Sequence, residues 1–373
     1  MRLQSVRDLK LELLEAVVEP AMDVSTRATA RARTLAERSL TVAVGAGGLG
    51  GSDLSVGVAA SSFESLPPVS RSVALGVSKR GQQHQLAIRI QRQALAKSPL
   101  VEHLIKRAKG EANVRVIGRI EKRTQLLRTR RAGGPSGATN WQRGRIRPLQ
   151  MGTSIAHVNV TAGTLGCFVR RGGNRFILSN NHVLADEDNA SIGDDILQRS
   201  RLDGGQVPGD VVGELREWIK LRPRASNRVD AAIATIADGV DVEPNLLQGL
   251  VKGKDRRLAG VGADFLDEGT IVYKLGRTTG ATIGRITAFE VDNVVIQYDR
   301  GQLRYDGQIE IEGNSDRAFS AGGDSGSIIV DADGKALALL FAGGDTGGSN
   351  GLGLTYANPI QTVLTDLDVE LEY

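Results

Sequence analysis

Apolar positions follow one rhythm near the start of the chain and another after about residue 149. Leu9, Leu11, Leu13, Leu14, Val17 and Val18 recur among charged residues at helical spacing, which predicts an amphipathic helix ending near Pro20. Ala, Arg and Glu between Arg27 and Leu40 predict a second helix. Residues 41–70 lose all period: Gly45, Gly47, Gly48, Gly50 and Gly51 lead to Ser61, Ser62, Pro67 and Pro68, a linker composition. No Gly-Lys-Ser/Thr follows those glycines, so a phosphate-binding loop is excluded. Order returns over 71–121, with strands at Val73–Val77 and Gln85–Ile90 about a Lys79-Arg80-Gly81 turn. A helix over Pro99–Ala108 is expected to turn Leu100, Leu104 and Ile105 inward, and Val114–Gly118 reads as a further strand.

From 149 onward, short apolar segments alternate with Gly, Asp and Asn turns at 164–170, 175–179, 211–216, 230–236, 270–275, 281–289, 292–298, 307–312, 327–331 and 335–341. Numerous short strands of this kind imply a mainly β sandwich or barrel fold. The chain then divides into an N-terminal helical segment (1–40), a Gly/Ser/Pro-rich linker (41–70), a small α+β domain (71–121), a basic flexible linker (122–148) and a β domain (149–373). The α+β domain could be a pro-segment, a regulatory or partner-binding unit, or an assembly module that makes a homo-oligomer; its sequence does not choose. In the basic linker Lys122, Arg123, Arg128, Arg130, Arg131, Arg143, Arg145 and Arg147 surround Gly133-Gly134-Pro135-Ser136-Gly137. The reading preferred there is a solvated loop open to nicking. Nucleic-acid binding ranks below it, because Trp141 is the one stacking ring and no recognition motif accompanies the charge.

Composition narrows the classes. A chain of 373 residues needs two or three folding units, and 40% hydrophobic with 24% charged residues is ordinary for a globular protein. Only 4% are aromatic, so Val, Ile, Leu and Ala must fill the cores. Cys167 is the single cysteine, which excludes a disulfide within the chain and fits a reducing compartment. Arg2, Arg7, Asp8, Lys10, Glu12 and Glu15 interrupt the first twenty residues, unlike a signal peptide, and no apolar run is long enough to span a membrane. The expected location is cytoplasmic, with no membrane partner.

The candidate chemistry centres on Phe319-Ser320-Ala321-Gly322-Gly323-Asp324-Ser325-Gly326-Ser327, followed by Ile328-Ile329-Val330. Gly323 and Gly326 leave the backbone around Ser325 bare and free to turn. The N–H groups of Gly323 and Ser325 could converge on a carbonyl oxygen as it becomes an oxyanion. Upstream, the apolar run Phe176–Ser179 steps through Asn180-Asn181 to His182, and Asp230 heads the alternating run Ala231–Ile236. The order is His, Asp, Ser, with separations of 48 and 95 positions.

In these three segments the chain resembles the trypsin/chymotrypsin family of serine peptidases, over residues 149–373, with wording closest to bacterial, HtrA-like branches. The resemblance implies two six-stranded antiparallel β-barrels, with His182 and Asp230 on the first, Ser325 on the second, and no cofactor or metal. It implies a serine endopeptidase acting on a protein or peptide substrate, with Ser325 as nucleophile, His182 as general base and Asp230 orienting the imidazole. Phe319, six positions before the serine, and Phe341, Ala342, Gly343 and Gly344 would then line the substrate pocket, which lacks a buried carboxylate and should favour small or medium apolar residues. No Ile-Val-Gly-Gly-like segment precedes the first barrel, so Asp324 is not expected to be switched by a freed amine. An activating partner at the N-terminal unit is one alternative trigger. The competing reading is an inactive scaffold of the same fold that binds peptides or partner proteins.

Structural readings are preferred for the other candidates. His157 is expected to be structural, and His84 and His103 to have no catalytic part. Asp186, Asp188, Asp194 and Asp195 do not have the spacing of a calcium loop. Cys167 reads as a small buried hydrophobe.

Overall fold

The structure is a computed structural model that describes residues 1–18, 72–122, 141–263, 267–314 and 316–373. The helix expected over 27–40, the linker over 41–70 and the central part of the basic linker lie outside the described residues. Among the described residues no helix is long and apolar enough to cross a membrane.

Six strands close a ring. Ile271–Gly276 pairs with Gly280–Asp292, which pairs with Gln308–Gly313, then Leu354–Pro359, Ala336–Gly343 and Ile328–Val330, and the last returns to Ile271–Gly276, every pairing antiparallel. Val272, Ile286, Ile311, Phe319, Ile329 and Leu340 are buried together in one of its apolar clusters. The other half is a curled sheet in which Ser154–His157, Asp195–Leu197, Val211–Trp218, Ala232–Ala234, Asn174–Ser179 and Cys167–Arg171 follow one another, with the C-terminal strand Glu370–Leu371 on its edge. Together they give the expected mainly β, double-barrel type of architecture, as one closed six-stranded barrel and one curled half-barrel. One apolar cluster spans both halves: Leu165, Cys167, Leu178 and Val183 meet Leu275, Ile328, Val330 and Leu339. The two halves are thereby fixed against each other, and the segments bearing His182 and Ser325 lie beside this shared core.

The N-terminal unit is built into the second half. Val73–Arg80 and Gln83–Ile90 form a hairpin with Ala112–Val116 parallel to its second strand. The first strand pairs with the far end of Gly280–Asp292, through Leu75 opposite Asp292 and Val77 opposite Phe289. One sheet therefore runs from the N-terminal unit into the closed barrel. Arg89 on the hairpin bonds Glu310 of the barrel through Nε at 2.7 Å, both side chains fully buried. Thr287 and Tyr356 hydroxyls donate to the same carboxylate at 2.7 and 2.8 Å.

Helix Leu3–Leu13 lays Val6 and Leu13 on this hairpin, whereas Leu11 faces solvent. Helix Pro99–Arg107 starts at a Ser98 cap and has Lys106 and Arg107 in its last turn, where the helix dipole favours cations. It buries Val101 and Leu104, while Ile105, expected inward, is exposed. The apolar face runs Val101, Leu104, Ala108, at steps of three and four, and Ile105 falls one position outside that stripe.

Candidate active site

His182 sits on the single-turn helix Asn181–Leu184, directly after strand Asn174–Ser179. The adjacent strand Ala232–Ala234 is in register with it, Ala232 opposite Ser179, so Asp230 at its approach meets the histidine. His182 Nδ1 lies 2.6 Å from Asp230 Oδ2, and the His182 backbone N–H donates to Oδ1 at 3.2 Å. A carboxylate on Nδ1 fixes the proton there and leaves Nε2 as the basic nitrogen. Nε2 is buried and has no hydrogen-bond partner among the described residues.

The second half contributes groups that sequence reasoning missed. The hairpin of Val294–Tyr298 and Gly301–Tyr305 places the Tyr298 hydroxyl 2.5 Å from Asp230 Oδ2 and 2.8 Å from the Tyr305 hydroxyl. The Tyr298 ring stands edge-on to the His182 ring, centroids 5.9 Å apart. Burial and the neighbouring Asp230 charge push the Tyr298 phenol well above its ordinary range, so it stays a donor. Their one available signal was the scarcity of aromatics, with two of the five tyrosines only seven positions apart.

Ser325 occupies the turn before Ile328–Val330. Gly323 and Gly326 have φ of +96° and +93°, which glycine adopts without strain. A Cβ on Gly326 would lie 2.1 Å from Ser179 Oγ and 2.3 Å from the Thr164 carbonyl, so only glycine fits between the halves. Thr164 ties the turn down: its N–H donates to the Ser325 carbonyl and its hydroxyl to the Gly323 carbonyl, each at 2.8 Å. The N–H groups of Gly323 and Ser325 donate to no group among the described residues. The Ser325 hydroxyl donates to the Phe341 carbonyl at 3.3 Å, and Ser325 is fully buried.

Asp324 points away from this turn into the closed barrel. Lys274 Nζ lies 3.4 Å from its Oδ2, and the N–H groups of Thr278, Thr279 and Ala321 and the Thr279 hydroxyl donate to its carboxylate. An internal lysine thus supplies the cation for this buried carboxylate. Lys274 lies between apolar Val272 and Leu275, a buried strand position where charge needs a partner.

Of the expected pocket residues, Phe319 fills the barrel interior, 2% exposed, beneath Lys274. The Phe341 ring packs on Tyr305, and Ala342 and Gly343 pair with Lys122 and Glu121. Gly344 approaches the Arg119 carbonyl, 2.9 Å from where its Cβ would be. His157 is buried, Nε2 3.1 Å from Asp194 and Nδ1 accepting from Asn159 N–H. Burial pushes the Cys167 thiol upward, away from reactivity. Glu187 and Asp188, beside His182, accept bonds from Asp299, Arg300, Trp218 and Leu221 instead of turning out to solvent.

Burial pushes Asp230, Asp324 and Glu310 upward, but the neighbouring His182, Lys274 and Arg89 and their hydrogen bonds outweigh it and hold all three below their ordinary values. Folded values below unfolded ones stabilise the fold fully above about pH 4, and the gain is lost as pH falls through the folded values. The urea midpoint should therefore be much lower at pH 3 than at pH 7. Equal midpoints would show that these carboxylates add nothing.

No family model and no curated sequence matches the chain. Solved structures similar to it include proteases. A glutamic acid-specific serine protease matches at 21% identity and TM-score 0.43, over 60% of this chain and 100% of that one. Protease A of Thermobifida fusca matches at 19% and 0.41, over 59% and 96%. The HtrA-type protease AlgW with a decapeptide matches at 17% and 0.31, over 56% and 51%.

Proposed function

We propose that the protein is a serine endopeptidase that hydrolyses peptide bonds through Ser325, His182 and Asp230. The observation that carries this reading is the buried His182–Asp230 pair, bonded through Nδ1 with Nε2 left without a partner among the described residues, together with a serine held in a glycine turn. In the reaction Ser325 Oγ attacks the scissile carbonyl as its proton passes to His182 Nε2. The Gly323 and Ser325 N–H groups receive the oxyanion, and His182 returns the proton to the leaving amine, giving an acyl-enzyme that water hydrolyses. The Tyr298 hydroxyl and the His182 backbone N–H keep Asp230 ionised and oriented as the imidazolium forms. The N-terminal unit, fused to the second half by a shared sheet, is suited to govern access to this site.

The competing reading is an inactive, peptide-binding scaffold, and the observation in its favour is that the Ser325 hydroxyl bonds the Phe341 carbonyl and not His182. A serine-directed phosphonate decides between them. Labelling of the full chain mapped to Ser325 by mass spectrometry, absent from Ser325→Ala, is the expected result. A folded chain that never labels, whatever variant is tried, would favour the scaffold.

A further inference from the structure

The strand whose Phe341 carbonyl holds the Ser325 hydroxyl does not offer a free edge. Beyond Phe341, its residues Ala342 and Gly343 pair antiparallel with Lys122 and Glu121 of strand Ile120–Lys122. The same short strand pairs parallel with Val294–Tyr298, Ile120 opposite Ile296 and Glu121 opposite Gln297. It thus fills the gap between the serine's strand and the hairpin that carries Tyr298 to Asp230. A peptide that is to present a carbonyl to Ser325 needs extended backbone beside this strand, because strand addition satisfies its N–H and C=O groups.

The contact is close and continues upstream. A Cβ on Gly347 would lie 3.0 Å from Ile117 Cα, and one on Gly118 would lie 2.3 Å from Thr346 Oγ1. Ile120 is 1% exposed, in a cluster with Ile296, Tyr298, Tyr305 and Phe341. Lys122 reaches between the halves: Nζ pairs with Glu187, next to the His182 helix, and lies 2.6 Å from Asp299 at the hairpin tip. Burial acts to lower the Lys122 pKa, but the two carboxylates more than offset it and raise it, so the ammonium stays charged.

We propose that residues 117–122 are a built-in substrate mimic, which holds the peptide site shut and shows what that site accepts. This rests on the peptidase reading above. The site takes an extended peptide with a basic residue at the Lys122 position, between Glu187 and Asp299, and an aliphatic residue two positions earlier. That preference is separate from the small or medium apolar one expected for the residue before the scissile bond. Release of the mimic frees the edge at Ala342 and Gly343 and uncovers Ser325 and His182, which are 0% and 1% exposed with it in place.

The test is the rate of phosphonate labelling at Ser325 in the full chain and in two variants. Lys122→Glu places like charge against Glu187 and Asp299, and Ile120→Asp puts a carboxylate into the apolar cluster; circular dichroism and a thermal midpoint check that each is folded. Both should label at least tenfold faster than the parent chain. An acetylated peptide of sequence RVIGRIEK, residues 115–122, should slow the Lys122→Glu variant again, and the same peptide with its lysine replaced by glutamate should not. If the parent chain labels as fast as the folded variants, the mimic is overturned and the peptidase reading stands. If the variants are fast but neither peptide slows them, the strap blocks without resembling substrate, and the specificity half falls. If no folded form labels, the peptidase reading fails and the inference goes with it.

Discussion

Asp230→Asn should slow phosphonate labelling of Ser325 on the order of 10⁴-fold while leaving the fold in place. The carboxylate accepts three bonds, from His182 Nδ1, the His182 backbone N–H and the Tyr298 hydroxyl. An asparagine has the same shape but only one accepting oxygen. If that oxygen stays on the His182 backbone N–H, at the Oδ1 position, the amide nitrogen takes the Oδ2 position, faces Nδ1 and donates to it, which drives the ring proton to Nε2. The nitrogen meant to take the Ser325 proton is then already protonated. The variant should keep its circular dichroism spectrum and much of its thermal midpoint, because no volume is lost. A reduction of less than tenfold would remove Asp230 from the orienting role and leave it a structural partner of Tyr298.

Lys274→Met should cost about 3–5 kcal/mol in denaturant unfolding, because it leaves the Asp324 carboxylate buried without its cation. Lys274 Nζ also donates to the Thr279 hydroxyl at 2.6 Å and the Gly280 carbonyl at 3.3 Å. Asp324 keeps three backbone N–H donors in the variant, yet backbone dipoles do not neutralise a fully buried charge. The double variant Lys274→Met with Asp324→Asn should recover most of the loss, since pair and charge go together. Labelling at Ser325 should fall in the single variant as well, because Asp324 anchors the turn from within. A single-variant cost below about 1 kcal/mol would mean that the donors alone hold the carboxylate.

The β-rich part of the fold was legible because its strands are short, apolar and punctuated, as at Phe176–Ser179 and Ile328–Val330. Two of the strands missed lack such a run. Ser154–His157 is buried along its whole length, yet it carries Ser154 and His157, whose polar atoms bond Ser200 and Asp194. Leu354–Pro359 contains Thr355, Tyr356 and Asn358, whose polar atoms bond Ser320, Glu310 and Gln308 inside the barrel. Such strands are recognised by their partners, which one-dimensional pattern does not contain.

At the site, His182, Asp230 and Ser325 could be singled out because each sits in a distinctive local phrase. Tyr298, Lys274 and Lys122 have no such phrase, since each acts by reaching a residue tens to more than a hundred positions away. Residues 117–122 illustrate the limit most clearly. They read as the end of an α+β unit and the start of a linker, and only the register of Lys122 against Ala342 places them beside Ser325.

The sheet shared by the N-terminal hairpin and the closed barrel makes covalent continuity and physical continuity two separate matters. A single backbone cut between residues 122 and 141 would sever the chain without separating its parts. The smaller piece would still supply a neighbouring strand to Gly280–Asp292 and the guanidinium that pairs with Glu310. The product would be a nicked, two-piece particle that migrates as one body until it is denatured. An engineered polypeptide starting after residue 140 would lack the hairpin at the far end of that long strand and carry Glu310 in its core without its cation, so the larger piece should be sound when left by a cut and unsound when made alone.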